Sequence, residues 1–415
     1  MNFETLAFHR RTVLRRLAGA SVLTLLLAAC GGDGGDGGAG SDGTANSDST
    51  PVPPVSAALP DTRSTAAGLR HTVFLKADGT VWTIGDNDEG QLGDGSNTAR
   101  TTPVAVSGLS GVSAVAAGDR FSLALKSDGT VWAWGINDQS ELGDGTSTNR
   151  NVPVQVQGLP TGVKAIAAGS YHSLALAVDN TLYAWGRNVS GPVGDGSTVN
   201  RASAVQVPGM GGTVRIAAGG FHSLAAKADG TLWSWGRNHE GQLGDGTTAT
   251  RTSPLQVMGQ TGVVDVAAGC CHSLARKADG SVLAWGKNDH GQLGDGSTTA
   301  HGIPMPVPGL GTVRQVLAGG DLSFALLEDG SLRAWGDNRG GALGDGTFAI
   351  RQSPVPVVGL GVVAGLGVGI GNALAVTTDV TAYGWGGNTN GRLGDGSTSN
   401  QPAPIQILTG ARLPQ

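Results

Sequence analysis

The string Leu-Gly-Asp-Gly returns at a step of about fifty residues, and no other feature constrains this chain so tightly. It stands at 92–95, 142–145, 243–246, 293–296, 343–346 and 393–396, with Val193-Gly194-Asp195-Gly196 as a seventh copy. The seven Asp residues (94, 144, 195, 245, 295, 345 and 395) lie 50, 51, 50, 50, 50 and 50 positions apart. Other residues keep the same step. A Gly recurs at 68, 118, 169, 219, 269, 319 and 369, an Asn at 87, 137, 188, 238, 288, 338 and 388, and all nine Trp fall in one short segment of the unit. A unit this short cannot bury its own apolar faces, so tandem copies must bury them against one another.

The chemistry inside the unit decides how. In the fourth copy, His222-Ser223-Leu224-Ala225-Ala226 and Thr231-Leu232-Trp233-Ser234-Trp235 flank Ala228-Asp229-Gly230. Alternating runs around Asp-Gly predict a tight hairpin, because Gly accepts the positive φ of the turn. Val214-Arg215-Ile216-Ala217-Ala218-Gly219 predicts a strand before it, and Pro254-Leu255-Gln256-Val257 one after the long loop. No stretch after the first thirty residues has helical periodicity. Four short strands repeated seven times predict an all-β fold, a seven-bladed β-propeller of four-stranded antiparallel blades. The small Ala-Ala-Gly run suits the crowded innermost strand, and the Trp rings suit the wedges between sheets. The propeller is expected over residues 62–408, with a tail at 409–415. If blade boundaries fall inside the sequence repeat, Pro404-Ile405-Gln406-Ile407 completes a blade with the first unit and locks the ring, and trimming 400–415 is then expected to lower the melting temperature sharply.

The N-terminal residues read as an address. Arg10, Arg11, Arg15 and Arg16 precede an apolar stretch from Leu17 to Ala29, too short for the roughly 20 residues of a membrane span. The stretch ends in Leu27-Ala28-Ala29-Cys30, which resembles a bacterial lipobox whose Cys takes a diacylglycerol. Residues 1–29 are therefore expected to be a signal peptide, and His9-Arg10-Arg11-Thr12-Val13-Leu14 also resembles a twin-arginine signal. Residues 30–61, rich in Gly, Asp, Ser and Pro, form a tether with a reach of roughly 30 Å. Without residues 1–29 the chain has 23 basic and 31 acidic side chains, a net charge of −8. That balance, without any Lys/Arg cluster, argues against a nucleic-acid partner and leaves the lipid on Cys30 as the only membrane contact. Three Cys among 415 residues exclude a disulfide framework.

The strings Ala-Ala-Gly, His-Ser-Leu-Ala-Leu, Asp-Gly-Thr-Val-Trp-Ala-Trp-Gly-x-Asn and Gln-Leu-Gly-Asp-Gly resemble the repeat of the regulator of chromosome condensation family. The resemblance spans residues 62–408 and implies a seven-bladed propeller. The family's eukaryotic founder is a nucleotide exchange factor for the GTPase Ran, acting through a wedge inserted in one blade. The near-constant step here leaves no room for such an insertion. A secreted bacterial relative inhibits β-lactamases with aromatic-rich loops. Here most aromatics belong to the framework, and Tyr171, Phe221 and Phe348 are the clearest exceptions.

Several constellations invite a chemical reading. The repeated Asp precedes an Arg by six residues in Asp94/Arg100, Asp144/Arg150, Asp195/Arg201, Asp245/Arg251 and Asp345/Arg351, with His301 and Gln401 in the other copies. A residue present in every blade serves the blade, so these pairs are expected to pin the loop. His71, His172, His222 and His272 share a phase with Phe121, Leu322 and Asn372, which fits packing better than metal binding. Asp86-Asn87-Asp88-Glu89-Gly90 lacks the Gly and bidentate Glu of a calcium loop. Cys270-Cys271 is expected to be a pair of thiols, with a strained vicinal disulfide as the alternative.

No catalytic pattern, cofactor fingerprint or metal-ligand spacing stands out. The sequence therefore predicts a lipid-anchored, extracytoplasmic propeller in a bacterial cell envelope, a single ring that binds another protein. The expected contacts are the positions that differ between blades within the Gly-x-Asn-x-x-Gly loop: Arg187, Val189, Arg237, His239, Glu240, Lys287, His290 and Arg339. Exchange activity, β-lactamase inhibition and an envelope enzyme with its site at the channel mouth are the alternatives.

Overall fold

A computed structural model describes residues 62–407. The predicted signal peptide, Cys30, the tether and the C-terminal tail lie outside the described residues.

The described chain forms seven sheets of four antiparallel strands, each sheet built from one contiguous segment. The fourth blade shows the pattern, with strands Thr213–Ala218, His222–Lys227, Leu232–Gly236 and Arg251–Gln256 in that order across the sheet. The innermost strands of successive blades contact one another around the axis, and the Ala-Ala-Gly runs lie on them. Space there is scarce. A Cβ on Gly219 would lie 2.5 Å from the His222 ring and 2.6 Å from the Gly269 carbonyl oxygen of the next blade. Among the described residues the only helical turn is a single 3-10 turn at Thr389–Gly391, and no helix is long and apolar enough to cross a membrane.

Antiparallel order sends like connections to the same end of the ring. The turns after the innermost strands and the long Gly-Asp-Gly loops share one face, tied by bonds such as Asp86 N to Arg70 O at 3.0 Å. The Asp-Gly hairpins and the blade-to-blade linkers share the other, tied by bonds such as Val112 N to Gly79 O at 3.0 Å. We call these the loop face and the hairpin face. The first described strand, Thr62–Ala67, starts at the hairpin face, and the last, Gln401–Gln406, ends there.

The blades are joined by a repeated relay. Trp134, Trp185, Trp235, Trp285, Trp335 and Trp385 are fully buried between sheets. Each burial contributes on the order of 2–3 kcal/mol. Each indole N–H donates to a carbonyl of the preceding blade, as Trp285 does to Gln242 O at 2.9 Å. Ser273 Oγ–H donates to that same oxygen at 2.8 Å. A carbonyl only accepts, so the Ser proton is committed. His222 Nε2, 2.9 Å from Ser273 Oγ, must then be the donor in that contact.

Closure departs from the expectation. The strand Gln401–Gln406 pairs with Ala382–Gly386 of its own unit, and Thr62–Ala67 is the innermost strand of the first blade. Blade and sequence repeat coincide, so no strand crosses the junction. The last blade instead packs its face on the first. Thr72 Oγ1 donates to Arg392 O at 2.9 Å, and the Arg392 guanidinium bonds to Leu69 O across the junction. Ile84 replaces the framework Trp here, so this junction lacks the indole bond.

Candidate binding face

Each long loop is organised from within by its Asn. In the fourth blade, Asn238 Nδ2 donates to Asp245 Oδ1 at 3.1 Å, Thr247 O at 3.0 Å and Ala249 O at 3.1 Å. Its Oδ1 accepts from Leu243 N at 2.9 Å. One side chain thus satisfies the turning backbone from the inside. Asp245 also pairs with Arg251 at 2.8 Å. The matching distances are 2.9 Å for Asp94–Arg100, 2.8 Å for Asp144–Arg150, 2.5 Å for Asp195–Arg201 and 2.7 Å for Asp345–Arg351. His301 and Gln401 contact Asp295 and Asp395 at 2.9 and 3.2 Å. Burial opposes ionisation of these carboxylates, but the hydroxyl, backbone and side-chain donors around them outweigh it and hold their pKa values below the usual range.

With the framework satisfied internally, the differing side chains point outward. They meet the turns after the innermost strands, which ring the channel mouth. Backbone bonds link these turns from blade to blade: Leu69 N to Asp119 O at 3.1 Å, Gly220 N to Gly269 O at 3.1 Å and Cys270 N to Gly320 O at 2.8 Å. The next residue of each turn is 70, 120, 171, 221, 271, 321 or 371. It reads Arg, Arg, Tyr, Phe, Cys, Asp and Gly, so no two distant blades present the same surface.

Two clusters result. In the third and fourth blades Tyr171 and Phe221 stack, with centroids 5.6 Å apart and planes at 27°. The Arg187 guanidinium lies 5.2 and 5.3 Å from the two centroids, and Arg237 lies 5.6 Å from that of Phe221. Tyr171 is also hydrogen-bonded to Asp119, which is only 3% exposed. Burial pushes the Asp119 carboxyl up to about 7, against the bond from Tyr171 and the charge of Arg120. In the fifth and sixth blades Asp321 Oδ2 accepts from Lys287 Nζ at 3.0 Å and contacts His290 Nδ1 at 2.9 Å. Burial opposes ionisation of Asp321, but the Lys287 charge and bond prevail and hold its pKa below the ordinary value.

Of the eight predicted contacts, the structure brings Arg187 and Arg237 to one cluster and Lys287 and His290 to the other. Arg237 Nε meets His239 Nδ1 at 3.3 Å, and Arg339 pairs with Asp337 at 2.9 Å. Val189 stands 59% exposed, and Glu240 is exposed. Sequence reading missed Asp119, Arg120 and Asp321. The available signal was the two-residue turn itself, which varies more than the Gly before it and the His-phase position after it when the seven units are aligned. Phe348 lies on the long loop of the sixth blade and is 51% exposed.

Cys270 Sγ and Cys271 Sγ stand 3.0 Å apart, well beyond a bond of about 2.05 Å, so no vicinal disulfide joins them. Cys271 is a free, buried thiol, and burial pushes it up to about 11, far from a reactive thiolate. His71, His172 and His222 are fully buried and lowered to about 3 by desolvation, and His272 to about 4. Among the described residues no group of three or more His, Cys, Asp or Glu side chains is placed to hold a metal ion. At the hairpin face a cavity of about 550 Å³ opens beside Ala114, Ala165, Lys164 and Arg215. It exists because the second and third blades carry Ala where the next three carry Arg215, Asp265 and Gln315.

Comparison with known proteins agrees with this architecture. The family described as RCC1-like domain matches residues 26–373, and the regulator of chromosome condensation (RCC1) repeat matches residues 381–413. Yeast RCC1 (Prp20), solved bound to Kap60, is 22% identical with a TM-score of 0.72, covering 81% of this chain and 86% of its own. Prp20p from Saccharomyces cerevisiae, in a study of its binding properties to Gsp1p and histones, gives 22% identity and a TM-score of 0.72 over 82% and 88% of the two chains. Human WBSCR16 is 25% identical with a TM-score of 0.70, over 80% of this chain and 93% of its own.

Proposed function

This chain belongs to the RCC1-like domain family, and from that premise we propose that it is a lipid-anchored, extracytoplasmic scaffold whose loop face binds another protein. The observation that carries this reading is the separation of the two faces. Side chains that differ between blades form the two charged and aromatic clusters on the loop face, while both described chain ends leave from the hairpin face. A tether running from Thr62 back to a lipid on Cys30 would turn the hairpin face to the membrane and the loop face away from it. Yeast RCC1 was solved bound to a protein, Kap60, which supports a protein partner as the class. The lipobox-like Leu27-Ala28-Ala29-Cys30 supports the anchor and the envelope location. No inserted wedge interrupts the near-constant repeat, which argues against an exchange mechanism of the founder's kind.

Site-specific photocrosslinking in intact cells tests the proposal. A crosslinker at Val189 on the loop face is expected to capture a discrete protein, and one at Asp229 on the hairpin face is not. Cys30→Ser is expected to abolish incorporation of labelled palmitate and release the chain from the membrane fraction. Capture only from Asp229, or no capture together with turnover of an envelope substrate, would overturn the scaffold reading.

A further inference from the structure

Resting on that reading of the loop face, we infer that the Tyr171–Phe221–Arg187–Arg237 cluster is the recognition patch and that its occupant is an acidic segment of the partner protein. Several loop-face cations are already paired with carboxylates. Arg120 lies 3.5 Å from Glu89, Lys287 lies 3.0 Å from Asp321 and Arg339 lies 2.9 Å from Asp337. Arg187 and Arg237 differ: among the described residues neither has a carboxylate within ion-pair distance, and both lie on aromatic rings. A guanidinium held against a ring is restrained while its edge N–H groups stay free to make paired bonds to a carboxylate. Tyr171 is itself fixed, stacked on Phe221 and tied to the buried Asp119. The site is therefore preorganised, which lowers the cost of binding.

The rings give the patch an apolar component that a bare phosphate would leave unused. They fit the aliphatic stem or aromatic neighbour of a Glu or Asp in a protein segment. Glu240 and Asp138, in the long loops of the fourth and second blades, are both exposed. With the net charge of −8 they disfavour long polyanions, whose charge would extend past the two arginines. A short acidic segment places its charge on the arginines alone.

The test uses the detergent-solubilised full chain and a fluorescein-labelled peptide of glutamates around one phenylalanine. A lysine counterpart, inorganic phosphate and heparin serve as comparisons. Saturable binding of the glutamate peptide that weakens with salt is expected. Arg187→Gln and Arg237→Gln should each weaken it about tenfold or more, Arg187→Lys should recover only part of the loss, and Lys164→Gln on the hairpin face should leave it unchanged. No binding, equal binding by the Arg187→Gln/Arg237→Gln double variant, or preference for the lysine peptide would overturn the inference. So would heparin or phosphate binding as tightly as the peptide. Continued capture from Val189 alongside any of these results would sink this inference alone, whereas loss of that capture sinks the scaffold reading beneath it.

Discussion

At the residue scale, the repeat exposes its own exceptions. The hairpin turn needs a left-handed residue, and Gly79, Gly129, Gly230, Gly280 and Gly330 supply it with φ between 78° and 83°. In the third copy Asn180 takes that place at φ 67°, a conformation Asn tolerates. In the seventh it is Val380 at φ 66°, where a β-branched side chain is strained. Val380 is 43% exposed, so little packing repays the strain. Val380→Gly is expected to stabilise the protein by about 1 kcal/mol, read as a higher urea midpoint with an unchanged slope. A lower midpoint would show that the turn is not strained.

The buried histidines make a second residue-scale prediction. The unfolded chain takes up a proton at His222 near its ordinary pKa of 6.5, whereas the fold refuses it until about pH 3. Stability linked to this group is thus intact above pH 6.5 and is lost as pH falls. Phe121 already occupies the same phase in the second blade, so His222→Phe suits the site. The variant should gain on the wild type by about 1.4 kcal/mol per pH unit as pH drops from 6.5 toward 4.5. Asp119 acts in the opposite sense, since its raised pKa favours the fold as pH falls from about 7, which is why the comparison is between variants rather than within one profile. Parallel melting-temperature profiles for the two proteins would refute the linkage.

At the scale of elements, the strands and hairpins were legible in the sequence because their signals are local. Alternation around Asp229-Gly230 is enough to place two strands and a turn. The long loop was legible only in outline. Its Asn, Gly and Asp kept step, but nothing local says that Asn238 closes the loop by bonding Asp245, Thr247 and Ala249. Nor does periodicity reveal that His71, His172, His222 and His272 each meet a Ser of the next blade, because those contacts span 51 residues.

At the scale of the whole molecule, the ring is not uniform. The junction between last and first blades lacks the framework Trp, and Asn372 takes the place of the bonded His. Both amide atoms of Asn372 are buried without a hydrogen-bond partner, as are Ser64 Oγ and Thr65 Oγ1. Unmet polar groups and a missing indole bond are expected to make this junction the first to open. Hydrogen exchange should show the innermost strands Thr62–Ala67 and Val363–Val368 opening before Thr213–Ala218. Equal protection of all three would mean that face packing alone holds the ring shut.

The sequence by itself determined the number of blades, their strands and their shared interior, because each rests on residues close in the chain and repeated seven times. Tertiary structure decided how the ring closes, since a repeat has no marker saying which strands belong to one sheet. It also decided which differing residues become neighbours. Tyr171 and Phe221 are fifty positions apart, and only the stacking of one blade on the next lays their rings together beneath Arg187.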